Sequence, residues 1–445
     1  VLATVSQRLA EVAQRVVPDP FVIAIGLTLL AALLGLVLMP QPDLGVLADG
    51  WYARVTAPGT LTFTYQMSLM LVAGTTLARA RLVEGGLARL ARLPRTTRGA
   101  AALTAFVAIL AALLNWGFGL VAGAVLAREI GRRAQQDGRA LDYPLVAAAG
   151  YTGLMVWHGG FSGSAPLKVA GGGPPVGAPV PLSETILSPL NLTVSAMMLV
   201  AVPWIVARMA SPDAERHIVV PRRAEPAHDP ERRPLAGVLL TLVVLALGVL
   251  ALGRLFAEGG VLAGLGIDVV NLLLVLAGLA LFGTPLRYGR AFVASVGEAG
   301  GILLQFPFYF GILGLLEAAG GVSWLAERSV ALSHGLAGLG VPVALAFDLV
   351  TFASAGLVNL FVPSGGGQWA VQGTILVEAA QTLDVPVSRA VMALAYGDEW
   401  TNMLQPFWAL ALLGITGLRA RDILGYTLTV MLLALPLYVL AFALF

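Results

Sequence analysis

The sequence predicts an all-α polytopic membrane protein built as two inverted-topology repeats, each with a re-entrant helical hairpin and a broken transmembrane helix. Three observations lead there. The 445 residues are 58% hydrophobic and 12% charged, where a soluble domain carries about 25% charged residues. Many apolar runs reach the roughly 20 residues that a helix needs to cross a bilayer. Two stretches rich in Gly, Pro and amides, Asn359–Trp369 and Asp398–Pro406, interrupt such runs, and the first half holds counterparts. Backbone left unpaired against lipid costs several kcal/mol per group, so these stretches must line an interior cavity. Interrupted helices at mid-membrane are where a carrier holds its solute and ions.

Composition removes other classes. Cysteine is absent, which excludes disulfides and thiol chemistry. Four His without paired spacing do not make a dedicated zinc site. A net charge of +2 gives no reason to expect nucleic acid. Arg8, Glu11 and Arg15 precede the first apolar run, so no cleavable leader is expected.

Residues 1–207 read as the first repeat. An amphipathic surface segment over 1–19 leads into a span at 21–39, a Pro- and Gly-containing loop at 40–60, and a span at 61–80 carrying Gln66. Arg79 to Arg98 form a basic stretch, and Arg128, Arg132, Arg133 and Arg139 form another. The positive-inside rule puts both in the cytoplasm. The apolar segment between them, broken at Asn115–Gly119, is then a hairpin over 100–130 with arms of about 14 and 11 residues, each half a bilayer at about 1.5 Å per residue. One long tilted helix is the alternative. A broken helix over 143–180 is interrupted at His158–Pro166, where six of nine residues are Gly, Ser or Pro, and resumes after Pro166. Residues 187–207 return to the cytoplasm. Residues 208–234, rich in Arg, acids and Pro, are a flexible cytoplasmic linker, with His217 and His228 solvated.

Residues 235–445 read as the second repeat. Crossings at 235–254, 268–283 and 291–316 (with Gln305 and Pro307) precede an outer polar segment at 317–340. A hairpin over 342–380 follows, entered from outside, then a helix over 387–418 broken at Asp398–Pro406. A last crossing at 423–445 leaves the C-terminus outside and the N-terminus inside. The halves share landmarks: Gln66 lies 49 residues before Asn115 and Gln305 54 before Asn359, while Asn115 lies 51 before Pro166 and Asn359 47 before Pro406. The charge rule places the two hairpins on opposite sides, which makes the repeat an inverted one.

Free N–H groups at half-helix starts attract an anion, and free C=O groups at half-helix ends attract a cation. Around them stand neutral hydroxyls and amides: Asn115, Ser162, Ser164, Asn359, Ser364, Thr401, Asn402 and Gln405. The set suits one small carboxylate with Na⁺ at the hairpin tips. Trp116, Gly160, Gly163, Gly365, Gly366 and Gln305 complete the candidate substrate site. Asn115, Ser162, Asn359, Ser364, Asp398, Glu399 and Asn402 form the candidate ion site. Asp398 and Glu399 are the sharpest ionisable groups, able to neutralise a cation, carry a coupling proton or pair with an Arg. Lys168, the only lysine, faces either a carboxylate or the outer interface. His158 is either a protonation gate or a hydrogen-bonded structural residue. Aromatics beside the breaks, among them Trp157 and Phe306, either wall an acyl chain or pack helices. No cofactor is expected beyond a coupling Na⁺ or H⁺.

These residues resemble the short-chain fatty acid transporter family. The matching strings are Pro18–Pro20, Asn115–Leu120, Gly159–Ser164, Gln305–Tyr309, Val362–Gly367 and Asn402–Met403 with Gln405–Ala409. They run in order along nearly the whole chain. The resemblance implies uptake of monocarboxylates such as acetoacetate or butyrate across a bacterial inner membrane. It also places the chain near a wider superfamily of homodimeric, elevator-like carriers, usually driven by Na⁺. Two positions depart from the pattern: His158 stands where a glycine is expected, and Asp398-Glu399 where a Glu-Gln pair is expected. A rival from another class is an intramembrane serine protease using Gly160-Phe161-Ser162-Gly163, which needs a general base near Ser162. A channel is a third reading, separable by saturable counterflow.

Overall fold

The computed structural model describes residues 20–170, 172, 176–217, 220, 235–259, 267–360, 365–405 and 408–445. The amphipathic segment expected over 1–19, His228, Ser364 and Pro406 lie outside the described residues. The described chain is predominantly helical, and an antiparallel bridge joins Leu141 and Arg216. In the first half the helices are α1 (Pro20–Leu38), α2 (Leu44–Val55), α3 (Pro58–Ala78), α4 (Arg81–Leu90), α5 (Thr97–Leu114), α6 (Trp116–Gln136), α7 (Tyr143–Tyr151), α8 (Ser164–Ala170) and α9 (Pro189–Met209). The second half adds α10 (Leu235–Gly259), α11 (Ile267–Phe282), α12 (Pro285–Val293), α13 (Gly300–Ala318), α14 (Gly321–Gly338), α15 (Val343–Asn359), α16 (Gly365–Thr382), α17 (Val387–Thr401), α18 (Leu410–Thr416) and α19 (Ala420–Leu444). Among the described residues five helices are long and apolar enough to cross a bilayer, or six if α11 and α12, bent by 119°, count as one span.

Asn115 alone separates α5 from α6. Its backbone is extended (φ −159°, ψ 129°), and its Oδ1 accepts the Phe118 N–H at 2.9 Å, capping α6. A Cβ on Gly119 would lie 2.5 Å from the Ala112 Cα. Along one straight helix these positions would be about 10 Å apart, so α5 and α6 form an antiparallel hairpin and the single tilted helix is ruled out. At its open end Arg139 Nη1 donates to the Arg95 carbonyl at 3.2 Å, which brings both basic flanks together. The arms, 18 and 21 residues, exceed the expected 14 and 11. Helix α6 continues into the charged flank because Arg132–Glu129 (3.3 Å) and Arg133–Asp137 (4.0 Å) pair one turn apart. The second hairpin, α15 and α16, is turned back on itself by Gln368 Nε2 donating to the Ala355 carbonyl at 2.7 Å. Helix covers Gly365–Trp369, which the sequence assigns to an irregular tip.

Three other expectations need correction, and the outer segment takes a defined form. The 40–60 loop contains α2: its Pro residues lie outside the helix, and Asp43 Oδ1 caps the N–H groups of Gly45 (2.7 Å) and Val46 (3.3 Å). The 291–316 crossing starts later, at Gly300, after the separate α12. The outer polar segment is helical as α14, and Glu317 closes α13 in a bidentate pair with Arg54 of α2 at 2.5 Å. The linker is folded where it begins: Glu215 Oε1 accepts from Thr97 Oγ1 at 2.6 Å, and the Leu141–Arg216 bridge fixes the next residue. His217 is exposed, as expected.

Helix α19 works as a ruler through the molecule. Near its start Tyr426 donates to Asp142 Oδ2 at 3.0 Å, beside the open end of the first hairpin. At its end the Phe445 carbonyl accepts from Arg389 Nη1 at 2.6 Å, and Arg389 also pairs with the buried Asp348 on the first turns of α15. Tyr426 and Phe445 are about 28 Å apart at 1.5 Å per residue. The open ends of the two hairpins therefore lie at opposite ends of α19. Its middle, at Met431 and Tyr438, bonds Trp400 and Met155 beside the two breaks.

Asp142 sits in the loop before α7 with 1% exposure, and burial pushes its carboxyl up to about 6.

Candidate functional site at the meeting of the two breaks

Both breaks exist, shifted by a few residues. The first begins at Thr152, earlier than expected: α7 gives way to 3-10 turns at Thr152–Met155 and Trp157–Gly159, and α8 restarts at Ser164. Pro166 falls within the first turn of α8, where its missing N–H costs nothing. The second break begins later. Helix α17 runs through Asp398 and Glu399 to Thr401, and a 3-10 turn at Asn402–Leu404 follows. The two acids thus occupy the last turn of a helix, carried there by its apolar body over Ala390–Ala395.

Each hairpin tip is bonded to the break of its own half. In the first half the Trp116 N–H donates to Ser162 Oγ at 2.9 Å and the Phe161 N–H to the Leu113 carbonyl at 2.8 Å. In the second, Asn359 Nδ2 faces the Asp398 carbonyl (2.7 Å), Thr401 Oγ1 (3.0 Å) and Asn402 Oδ1 (2.9 Å), while Gln405 Nε2 donates to the Asn359 carbonyl. The first tip reaches its break through the Trp116 backbone N–H, and the second through the Asn359 side chain.

The breaks also meet each other. His158 Nδ1 lies 2.7 Å from Asp398 Oδ2, with the two side chains 0% and 1% exposed. The His158 N–H donates to Glu399 Oε2 at 3.0 Å. Tyr151 Oη donates towards the carbonyls of Asn402 (2.9 Å) and Gln405 (2.8 Å). On α9, Asn191 Nδ2 donates to the Gly159 carbonyl at 2.7 Å, and its Oδ1 accepts from Tyr396 at 3.0 Å. His158 and Asp398 each open a nine-residue stretch that ends in Pro, and the two side chains are bonded to each other.

Of the remaining candidates, Gly160, Gly163 and Ser164 lie in the first break. Gly365 starts α16 against it: a Cβ there would be 2.2 Å from His158 Cε1 and 2.8 Å from Ser164 Oγ. Gly366 follows on α16. Gln305 is buried on α13, which packs on α1, α2 and α3, and it makes none of the junction's hydrogen bonds. Lys168 is exposed. Trp157, Trp116, Trp408 and Phe306 form a chain of ring contacts with centroids 5.0 to 6.3 Å apart, so the aromatics beside the tips pack on one another. Sequence reasoning missed Tyr151, Asn191, Tyr396 and Tyr438. All are polar groups inside apolar runs, a pattern that marks buried hydrogen bonding without saying to what.

Asn359 Oδ1 and Gln405 Oε1 are buried without a hydrogen-bond partner among the described residues. Unbonded carbonyl oxygens are what a hard cation takes as ligands.

The serine-protease reading fails on geometry. Ser162 Oγ accepts the Trp116 N–H, and the imidazole turns to Ser164 instead, at 3.4 Å. The lone pair on His158 Nε2 is already taken by the Ala165 N–H at 3.0 Å, so no base serves either serine.

A family model described as "Short chain fatty acid transporter" matches residues 1–445. An Escherichia coli (strain K12) protein, provisionally named a short-chain fatty acid transporter, is 35% identical over 100% of both chains. A Haemophilus influenzae (strain ATCC 51907 / DSM 11121 / KW20 / Rd) protein with the same provisional name is 32% identical over 99% of both. Among solved structures, the Alcanivorax borkumensis YdaH transporter is 18% identical with a TM-score of 0.46, covering 95% of this chain and 98% of that one. Neisseria gonorrhoeae MtrF is 14% identical with a TM-score of 0.45, covering 97% of each. The family and these relatives are transporters and not enzymes, and the chain belongs to the short-chain fatty acid transporter family.

Proposed function

We propose that the chain is a secondary active carrier of short-chain monocarboxylates, such as acetoacetate or butyrate, coupled to Na⁺ or H⁺. It works in a bacterial inner membrane as a homodimer, with its N-terminus inside and its C-terminus outside. The single observation that carries the reading is the double bonding of the breaks: each is tied to the hairpin of its own half and also to the other break. Hairpins and breaks then form one body, while α1, α2, α3 and α13 pack on one another as a frame. A body of that kind sliding against a frame gives elevator-type alternating access. Two packing relations support the inverted repeat: α1 packs on α13 as α11 packs on α3, and the hairpins open at opposite ends of α19.

The substrate carboxylate is held at the polar tips by Ser162, Ser164, Thr401 and Asn402, beside Asn115, Trp116, Gly160, Gly163, Ser364, Gly365 and Gly366. Asn359 and Gln405 offer a cation their free carbonyl oxygens. A helix terminus gives an anion at most about 2 kcal/mol. Burying three acyl carbons adds roughly 2.4 kcal/mol at about 0.8 per methylene. With a few charge-assisted hydrogen bonds, less the cost of association, affinity falls between micromolar and millimolar. The test is counterflow of labelled monocarboxylates in proteoliposomes, with and without a Na⁺ gradient. Absence of saturable counterflow for every short monocarboxylate would overturn the proposal.

A further inference from the structure

Four segments meet around Asp142 at the open end of the first hairpin: the start of α5, the loop before α7, the early turns of α19 and the chain that leaves α9. Asp142 Oδ1 accepts the Leu145 N–H at 3.1 Å and Oδ2 the Tyr426 hydroxyl at 3.0 Å, and no Arg or Lys hydrogen-bonds either oxygen among the described residues. The Asp142 N–H donates to Thr97 Oγ1 at 3.4 Å, and Thr97 Oγ1 donates to Glu215 Oε1 at 2.6 Å. Leu141 and Arg216 exchange backbone hydrogen bonds at 3.0 and 3.2 Å. Farther along, the Val220 N–H donates to Gln135 Oε1 at the end of α6 at 3.0 Å. The first residues of the linker are therefore fastened to both arms of the hairpin, at Thr97 and at Gln135, and to the residue before Asp142.

Thr97 opens α5, the arm that carries the tip at Asn115, so this contact lies at the base of the hairpin. A hairpin that lets go of its break turns about its base, and a strap across the base resists that turn. Closing the strap buries a carboxyl group with no cation bonded to it. A buried carboxyl holds its proton more tightly than one in water. Protons therefore favour the closed strap, and ionisation of Asp142 favours the loosened one.

Resting on the carrier reading above, we propose that the linker start is a proton-operated latch on the base of the first hairpin: Asp142 takes up a proton from the aqueous side it adjoins, the strap closes and the carrier slows. The O–H bond forms on Oδ2, and Tyr426 turns from donor to acceptor there. From the linker, Glu215 repels the ionised carboxyl and Arg216, whose Nη1 donates to the Asp213 and Glu215 carbonyls, attracts it less strongly. Tyr143, next in the chain, donates to the Thr416 carbonyl at 3.1 Å. On the hairpin side Arg139 is bonded to Asp137 and to the Arg95 carbonyl, and Arg128 is bonded to Glu129. A carrier that delivers an acid together with a proton acidifies the side it delivers to, so the latch is a brake set by the product.

The chain has no cysteine, so Gln136→Cys and His217→Cys, both at exposed positions, place one spin label at the end of α6 and one on the linker start. In purified full-length protein, pulsed dipolar spectroscopy reads the ratio of the short, fastened distance to the longer, loosened one. With the carboxyl at about 6 when buried and at 3.8 when loosened, that ratio should rise about tenfold from about pH 7.5 to about pH 5. Asp142→Asn, a neutral mimic of the protonated group, should hold the fastened distance at both. A wild-type ratio that does not change, or an Asp142→Asn protein that still responds, overturns the proposal. If Asp142→Asn does not fold, Tyr426→Phe removes a donor that favours the ionised form and should move the transition to higher pH; an unmoved transition overturns the proposal equally. For the brake, Leu141→Cys with Arg216→Cys bridges a bonded antiparallel pair, whose Cα atoms lie about 5.5 Å apart and within disulfide range. Oxidised in proteoliposomes at neutral pH, this variant should lose most of its butyrate counterflow and recover it on reduction. Full counterflow in the oxidised protein would sink the brake. Absence of butyrate counterflow in the wild type and the reduced variant, with the pH-dependent distance intact, would remove the monocarboxylate reading and leave the latch standing.

Discussion

Asn359→Ala tests whether the second hairpin is latched to its break. Asn359 Nδ2 faces three acceptors within 3.0 Å, one on the main chain of α17 and two on side chains of the break. Hydrogen bonds between helices in membranes average about 0.6 kcal/mol each, well below the roughly 1 kcal/mol typical of water-soluble cores. The amide carries two hydrogens, so losing its two bonds should cost about 1.2 kcal/mol, or roughly 7-fold in the unfolding equilibrium. The assay is reversible unfolding in mixed micelles, run as a double-mutant cycle with Thr401→Val. The cycle should return a coupling of about 0.6 kcal/mol for that one bond. A loss for Asn359→Ala below about 0.5 kcal/mol, or zero coupling to Thr401, would show that the tip is not held in this way. Asn359→Asp should be worse than Asn359→Ala, because it turns a carboxylate oxygen towards three acceptors.

Gly365→Ala should abolish net uptake while leaving the amount of membrane-inserted protein unchanged, because its Cβ would lie 2.2 Å from His158 Cε1. Gly335→Ala, which meets nothing within 4 Å, is the control that should transport normally. Asp142, raised to about 6 from 3.8, binds its proton more tightly when folded. Its contribution to stability is full below the unfolded value and is lost as pH rises through about 6, a span worth up to about 3 kcal/mol. Unfolding midpoints at acid and neutral pH should show that slope in the wild type and a flatter one in Asp142→Asn. The Arg54–Glu317 pair, 42% and 30% exposed, should contribute less than about 1 kcal/mol, so Arg54→Ala should shift the unfolding midpoint only slightly. A fluorophosphonate probe should leave Ser162 unlabelled at every pH, and labelling would reopen the hydrolase reading.

The membrane class, the helical content and the approximate place of both breaks were legible in the sequence. Each follows from local chemistry: apolar runs of bilayer length, and clusters of Gly, Ser, Pro and amides that no lipid-facing helix carries. The basic flanks at Arg95 and Arg139 were enough to fold the first hairpin back on itself. The sequence missed α2, because flanking Pro40, Pro42 and Pro58 with Gly45 and Gly50 inside it look the same in a string as Pro and Gly in a loop. It also placed Asp398 and Glu399 inside a break, whereas the Ala-rich body of α17 carries helix through them. Pairing between distant elements was beyond it. That His158 meets Asp398 across 240 residues depends on how two halves pack, and no periodicity encodes that. Nor could it show that His158 Nε2 is occupied by a backbone N–H. Local propensity fixes where the helix stops, and only the fold decides which buried donor faces which buried acceptor.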